Sequence, residues 1–473
     1  MNIRAIKGLI YLVGMTAAVL TACGGGSDPA MGENSSPPPP PPPPVQEAIV
    51  GAVYAGTNNP DPKGNFVVGF SRSSSGKLAP MKAYETGGTG RAGPSQPRLN
   101  SLISEDSILA VEGRFLLVVN AGSNDVTCFR IDADFGLTRT DIEPSGGTAP
   151  ISLAYRNGIV YVANADEDGV FNGPPDQSGN MTAMRLDLSS GDLTAIPDSS
   201  VSLHGRPADL EITPDGYYLL VSSLNAGSAL LPGPTAAEIS SFLIQSDGRL
   251  ATTPSGTGQS TLVGNAAGRN LPNAIGIETF ADGDRQFVIA AEARTASSAG
   301  LPPAGLASLQ TGSVSTWEIN SDGTFLPRTQ DFQLGESLDS GPLQTGFLAY
   351  SPVYSVFWVS SSMGAEISGY GLSGVDSLDA EAGTVARGYP VVSGTPVDIG
   401  SSTPLAEADG YVDIAISPDY NWLYQLVGLK GRIDAYEIDT LEAMNIALRQ
   451  SVTSDLLPMD NLQGLVVVGE LAP

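Results

Sequence analysis

Two carboxylates, Asp209 and Asp413, open the same apolar phrase at two distant places in the chain, DLEI and DIAI. If the repeats that carry them close into a ring, equivalent positions fall beside one axis. Carboxylates placed there can bind a cation, polarise water, or accept hydrogen bonds from neighbouring strand-end amides. A second acidic group is the run Asn164-Ala-Asp166-Glu-Asp168-Gly169, which matches the first half of a D-x-[DN]-x-[DN]-G calcium loop. Oxygen ligands at alternate positions let one turn wrap a hard cation. The first position is Asn, however, and Pro175 stands where the closing Glu belongs, so Asn164, Asp166 and Asp168 make a weak Ca²⁺ expectation beside that of a solvated acidic loop. His204 is the sole histidine and lies in HGRPAD just ahead of Asp209, which excludes a multi-histidine metal centre within this chain. No phosphate-cradling P-loop, H-x-x-E-H zinc pattern or C-x-x-C-H haem attachment is present.

The elements that must position these groups repeat. From about Val50 the chain gives one phrase seven times: an apolar strand, a tight turn, a second apolar strand, a third with alternate aromatics, and a turn ending in Gly-x-Leu. First strands read SILAV, ISLAY, DLEI, AIGI, FLAY and DIAI; third strands read VTCFRI, MTAMRL, ISSFLI, SVSTWEI, ISGYGL and IDAYEI. Alternation at period two marks half-buried strands. A four-strand unit that cannot bury its own faces must stack on its neighbours, which predicts an all-β, seven-bladed propeller over residues 48–473. The N-terminal stretch lacks an inner strand, and LQGLVVV (Leu462–Val468) is expected to supply it and so latch the ring. A β-sandwich or two tandem β domains is the alternative.

Residues 1–22 combine a basic start (Arg4, Lys7) with an apolar run, then Leu20-Thr21-Ala22-Cys23. The run is too short for an ordinary membrane span. Small residues before a Cys resemble the bacterial lipobox, which implies cleavage, acylation of Cys23 and anchoring at the cell envelope, with the outer membrane favoured. Residues 23–47 include eight consecutive prolines, Pro37–Pro44, and form an extended tether. Loss of Arg4 and Lys7 would take the net charge from −27 to −29. Such a surface repels nucleic acid and anionic headgroups. Cys128 would then be the only thiol, read as a small buried hydrophobe.

Turns between first and second strands, and between third and fourth, are short: VEG, RNG, TPDG and SPDY, then SSGK, DFG, SSGD and SDG. The other connections are long: Asp166–Asn180, Asn225–Ala237, Arg294–Thr311, Gly87–Glu105, Gly256–Leu271, Gly335–Gln344 and Gly388–Asp409. Antiparallel order puts these on one side, the expected working face. A lactone, a glycan or an envelope protein is the expected class of partner.

The repeat grammar, the Gly-x-Leu-x-Pro turns and the phrase FVIAAE resemble the lactonase family of seven-bladed propellers, which includes 6-phosphogluconolactonases and carboxymuconate-lactonizing enzymes. The resemblance runs from about Gly51 to Gly469. It implies a Gly-Pro-Arg-His phrase introducing the inner strand of one blade and Asn-Glu-Leu ending that blade's second strand; here LPNAIGI and QFVIAAEAR stand in those places. Glu292 falls on the family's glutamate, whereas Asn273 and Ala274 replace the arginine and histidine, and Ser152, Asp209 and Asp413 stand where other family histidines would be. Lactone opening needs a base and a donor for the developing oxyanion. The resemblance therefore nominates Glu292 as base, with His204, Arg206 and Arg269 as supporting charges and Asp209, Asn273 and Asp413 at the channel mouth. The missing histidines make a binding role the primary expectation and lactone hydrolysis the alternative.

Overall fold

Four strands, Phe115–Asn120 (β5), Ile159–Asn164 (β9), Val356–Ser361 (β23) and Trp422–Val427 (β27), are buried at every residue. A strand can be buried on both faces only if its sheet lies between two others, and that is how the repeats are arranged. Among the described residues of the computed structural model, thirty strands (β1–β30 in chain order) form seven antiparallel sheets. The described residues are 47–473, apart from 63, 92–101, 166–178, 204, 225–237, 260–271, 298–305, 335–344, 374–384, 394–407, 460 and 470–473. Residues Glu47–Pro473 form a compact unit by themselves.

Each blade runs outward from an inner strand. Those of blades two to seven are Ile108–Val111 (β4), Pro150–Arg156 (β8), Arg206–Ile212 (β13), Asn273–Asp282 (β17), Thr345–Ser351 (β22) and Tyr411–Ile416 (β26). Blade one takes Ile49–Gly56 (β1) and the two strands after it, and its inner strand is Leu465–Gly469 (β30). Gly51 pairs with Gly469 and Ala55 with Leu465, so the C-terminal strand closes the ring as the sequence predicts.

Five inner strands carry the same irregularity. Their register with the second strand slips immediately before Ser152, Asp209, Ile277, Phe347 and Asp413. A bulge bends a strand and re-aims the residue that follows it. The repeat thus turns one position per blade in the same way.

Neighbouring blades are latched by a repeated turn. In Thr213-Pro214-Asp215, the Thr213 hydroxyl donates to Asp215 Oδ1 at 2.6 Å, and Gln286 of blade five donates to Asp215 Oδ2 at 2.7 Å. In Ser417-Pro418-Asp419, Ser417 donates to Asp419, whose other oxygen takes Arg72 Nη1 of blade one at 3.0 Å. Arg72 is fully buried. Blade six has Ser351-Pro352-Val353 instead: the carboxylate is missing, Val353 is exposed, and the buried Ser351 hydroxyl has no partner.

Several expected connections prove to be ordered strand. The segment Arg294–Thr311 was expected as a loop, but strand Arg285–Ser297 (β18) continues through Ser297 and Leu306–Ile319 (β19) begins at Leu306. Arg294 pairs with Gln310 and Ser297 with Leu306, so the hairpin simply keeps hydrogen bonding beyond its neighbours. Gly256–Leu271 likewise opens with a strand, Gly256–Gln259, and Gly388 lies inside strand Val385–Ser393. The ring-closing ion pair gives a direct test. Arg72→Met is expected to destabilise the protein by about 2 kcal/mol, because it removes the charged hydrogen bond to Asp419, whose side chain is 22% exposed. Chemical denaturation measures this, and an unchanged midpoint would contradict it.

Candidate functional site: an acidic channel beneath a plug

The inner strand of every blade has an unpaired edge facing the axis, and each amide on that edge needs an acceptor. At the positions after the bulges the acceptors are carboxylates or one crossing segment. Asp209 Oδ1 accepts from its neighbour Leu210 N at 2.8 Å and from Ser152 Oγ at 3.1 Å, while Oδ2 accepts from Ile277 N at 2.9 Å. Asp413 Oδ1 accepts from Ile414 N at 2.7 Å. Leu348 N donates to Glu105 Oε1 at 2.7 Å, and Leu153 N to the Asp106 carbonyl at 3.0 Å.

Glu105 and Asp106 belong to a segment, Leu102–Asp106, that crosses the channel as a plug. Arg206 donates to the carbonyls of Leu102, Ile103 and Pro207. Ser104 donates to the Ile151 carbonyl at 2.9 Å and accepts from Gln463 Nε2 at 2.7 Å through its own carbonyl. Glu105 N donates to the Ala208 carbonyl at 3.2 Å. Ile103 packs in a small apolar cluster with Ala208, Ile275 and Ala293. Ile103 and Asp106 sit at φ 48° and 55°. The left-handed region is costly for a β-branched residue, so contacts from several blades must hold this conformation. Gly276 is required beside it, because a Cβ there would collide with Glu105 Oε2.

The plug enters from the long-loop side, where inner strands begin. Beneath it lies a cavity of about 160 Å³ lined by Glu105, Asp106, Glu211, Glu278 and Asp413, together with inner-strand residues such as Ile277, Leu348 and Val467, which also belong to the packed cores between blades. Inner strands β8, β13 and β26 are buried at their first residues and partly exposed at their last two. The channel is therefore shut at the long-loop end and reached by solvent from the short-turn end.

Six carboxyls in so little water cannot all stay ionised. Burial raises Glu105 well above the ordinary carboxylate range, and the charges of Asp209, Asp413 and Asp106 add to it. Burial also raises Asp209, assisted by Asp106, although amides of Ile277 and Leu210 pull the other way. Asp413 and Glu211 are raised well above their usual values, again chiefly by burial. Burial pushes Asp106 up to about 7 and, with Asp106 nearby, Glu278 up to about 8.

The sequence-predicted residues separate. Asp209 and Asp413 do meet at the channel, though beneath the plug rather than at an open mouth. Arg206 is buried and occupied with plug carbonyls, so it is not a charge displayed at the mouth. Glu292 lies in β18, only 1% exposed, accepts from Ser313 Oγ at 2.6 Å, and does not line the acidic cavity. Asn273 begins β17 and pairs with Ala293. Asn164 is buried at the end of β9, donates to Thr182 Oγ1 at 3.4 Å, and fills the space left by Gly147. Its Oδ1 is buried without a hydrogen-bond partner among the described residues. His204, Arg269, Asp166, Asp168 and Cys23 lie outside the described residues. Among the described residues no group of three acidic, histidine or cysteine side chains is arranged to hold a metal ion. Cys128 is buried, which pushes its thiol up to about 11.

Sequence reasoning missed Glu105, Asp106, Glu211 and Glu278. Glu211 had a signal, since it stands two residues after Asp209 on the same strand face. The cluster fixes a pH response. A carboxyl whose native pKa is raised binds its proton more tightly folded than unfolded, so its stabilising effect is complete at low pH and is lost as pH rises through the native value. The melting temperature is expected to fall steadily between about pH 5 and 8, by the equivalent of about 1.4 kcal/mol per pH unit for each excess native proton. Glu105→Gln, which keeps an acceptor for Leu348 N, should flatten that fall. A melting temperature that is level or rising over this range would contradict the assignment.

No family model matches the chain, and no curated protein matches it. Solved structures do share its fold. The periplasmic gluconolactonase of Pseudomonas aeruginosa superposes with a TM-score of 0.56 at 13% identity, covering 89% of this chain and 99% of its own. A candidate 6-phosphogluconolactonase of Bacteroides uniformis gives 0.55 at 14% identity, covering 89% and 100%. A protein of Lactobacillus plantarum gives 0.55 at 12% identity over the same shares. The chain is an all-β, seven-bladed propeller, the fold it shares with these solved structures.

Proposed function

We propose that the protein is a ligand- or partner-binding propeller of the bacterial cell envelope, tethered through lipidated Cys23, and not a lactone hydrolase. The observation that carries this reading is the plug. The long-loop end of the channel is filled by Leu102–Asp106, and the one described arginine nominated for an oxyanion is held by carbonyls of that segment. Below the plug the described cavity offers carboxyls but, among the described residues, no basic side chain. An anionic transition state would be repelled there. Glu292 is buried against Ser313, which is a poor setting for activating water. Binding then falls to the long-loop side of the plug, with a glycan or an envelope protein as partner.

Lactone hydrolysis by Glu292 is the second reading, supported by the gluconolactonase name of the Pseudomonas aeruginosa fold neighbour. The unit from Glu47 onward, assayed on gluconolactone and 6-phosphogluconolactone, is expected to show no turnover above the spontaneous rate. Turnover that falls at least about 100-fold in Glu292→Gln would establish the hydrolase instead. The anchor is tested separately: Cys23→Ser should move the full chain from the membrane fraction to the soluble one, and an unchanged membrane fraction would reject lipidation.

A further inference from the structure

Among the described residues, the plug's hydrogen bond to blade six runs through Glu105, whose Oε1 accepts from Leu348 N at 2.7 Å. The second oxygen, Oε2, is buried without a hydrogen-bond partner. What lies against it decides its state. A Cβ placed at Gly276 would run into both Glu105 Oε2 and the carbonyl oxygen of Gly346, so these two oxygens are neighbours with no room between them for a methyl group. A carbonyl oxygen only accepts, and so does a carboxylate. Two acceptors facing each other away from water repel, whereas a carboxyl proton placed between them makes a hydrogen bond.

The charged groups around Glu105 act in the same direction. Strand β13 brings Asp209 and Glu211, β17 brings Glu278, β26 brings Asp413, and the plug itself brings Asp106. Strands β8, β22 and β30 meet the plug and its cavity with Ile151, Leu348 and Leu465–Val467, and bring no charge to this point. Arg206 is the described cation nearby, and its guanidinium is spent on the carbonyls of Leu102, Ile103 and Pro207. The plug also carries backbone strain: Ile103 and Asp106 hold positive φ only while their contacts last.

We propose that Glu105 is seated as the neutral acid, its Oε2 hydroxyl donating to the Gly346 carbonyl, and that this one proton locks the plug Leu102–Asp106 in the channel. When the proton passes to solvent, the carboxylate faces a carbonyl on one side and the acids of β13 and β26 on the others. Leaving the channel hydrates it and relaxes Ile103 and Asp106, so the plug opens locally while the blades stay folded. The lock acts toward alkaline pH: an acid that holds its proton more tightly in the seated state stabilises that state fully at low pH and ceases to do so as pH rises through its native value. It operates whatever partner the long-loop side binds.

Amide hydrogen exchange of the unit from Glu47 onward, measured across neutral and alkaline pH and corrected for the intrinsic rate, tests the proposal. The plug reporter is Glu105 N, which donates to the Ala208 carbonyl, and the reference is the buried strand β9. The ratio of plug to β9 protection is expected to fall about 10-fold per pH unit once Glu105 ionises. Glu105→Gln mimics the neutral acid, because its carboxamide keeps an acceptor for Leu348 N and turns a permanent N–H toward Gly346. Its ratio should stay at the acid-side level at every pH. Glu278→Gln removes a nearby charge without touching the contact and should leave the fall in place. A wild-type ratio that does not change with pH would overturn the proposal, and this measurement decides alone should Glu105→Gln fail to fold. A Glu105→Gln plug that exchanges freely at every pH, or a fall abolished by Glu278→Gln yet kept in Glu105→Gln, would overturn it as well.

Discussion

Seven sheets arranged about one axis expose seven strand edges to the same narrow space, and the amides on those edges must find acceptors there. That constraint organises the centre of this protein. Water could meet it in a wide channel. Here carboxylates meet much of it: Asp209 ties three blades together by accepting from Ser152, Leu210 and Ile277, and Glu105 takes the amide of Leu348. The bulge repeated in five blades turns the same position toward this task each time. The acceptors chosen are charged, so satisfying backbone amides concentrates negative charge where water is scarce. Raised carboxyl pKa values follow from that geometry without any catalytic purpose.

The plug follows from the same constraint. A ring of edges leaves a hole, and Leu102–Asp106 fills it with a backbone whose own groups are met by blades one, three and four. Arg206 shows how position changes the meaning of a residue type. Near a channel mouth an arginine suggests anion binding, yet here its guanidinium stitches the plug to blade four.

Much of the architecture was legible because strands report themselves locally. Alternation, turn chemistry and a missing inner strand in the N-terminal repeat were enough to place seven blades and to pair LQGLVVV with β1. Asp209 and Asp413 were legible too, because a repeat makes equivalent positions comparable. The plug was not legible. LISED reads as a connection, and nothing local says that a connection will turn inward and be held by residues more than a hundred, and in one case more than three hundred, positions away. Glu278 was hidden because the register slip before Ile277 disguises its place: it pairs with Ile289 as Glu211 of blade four pairs with Leu220. The long β18–β19 hairpin was misread because Arg294–Thr311 is rich in small residues, which favour loops but do not forbid pairing.

The closing strand also sets an order of events. β30 walls the cavity with Leu465, Val466 and Val467, and Gln463 just ahead of it grips the plug at Ser104. It follows every other blade along the chain, so a polypeptide emerging N-terminus first can stack blades two to seven before the axis is sealed. Until then Glu105 and its neighbouring acids share an open, hydrated cleft and remain ionised. Docking of the final strand would expel that water and draw protons in, which makes completion of the ring a proton-consuming step.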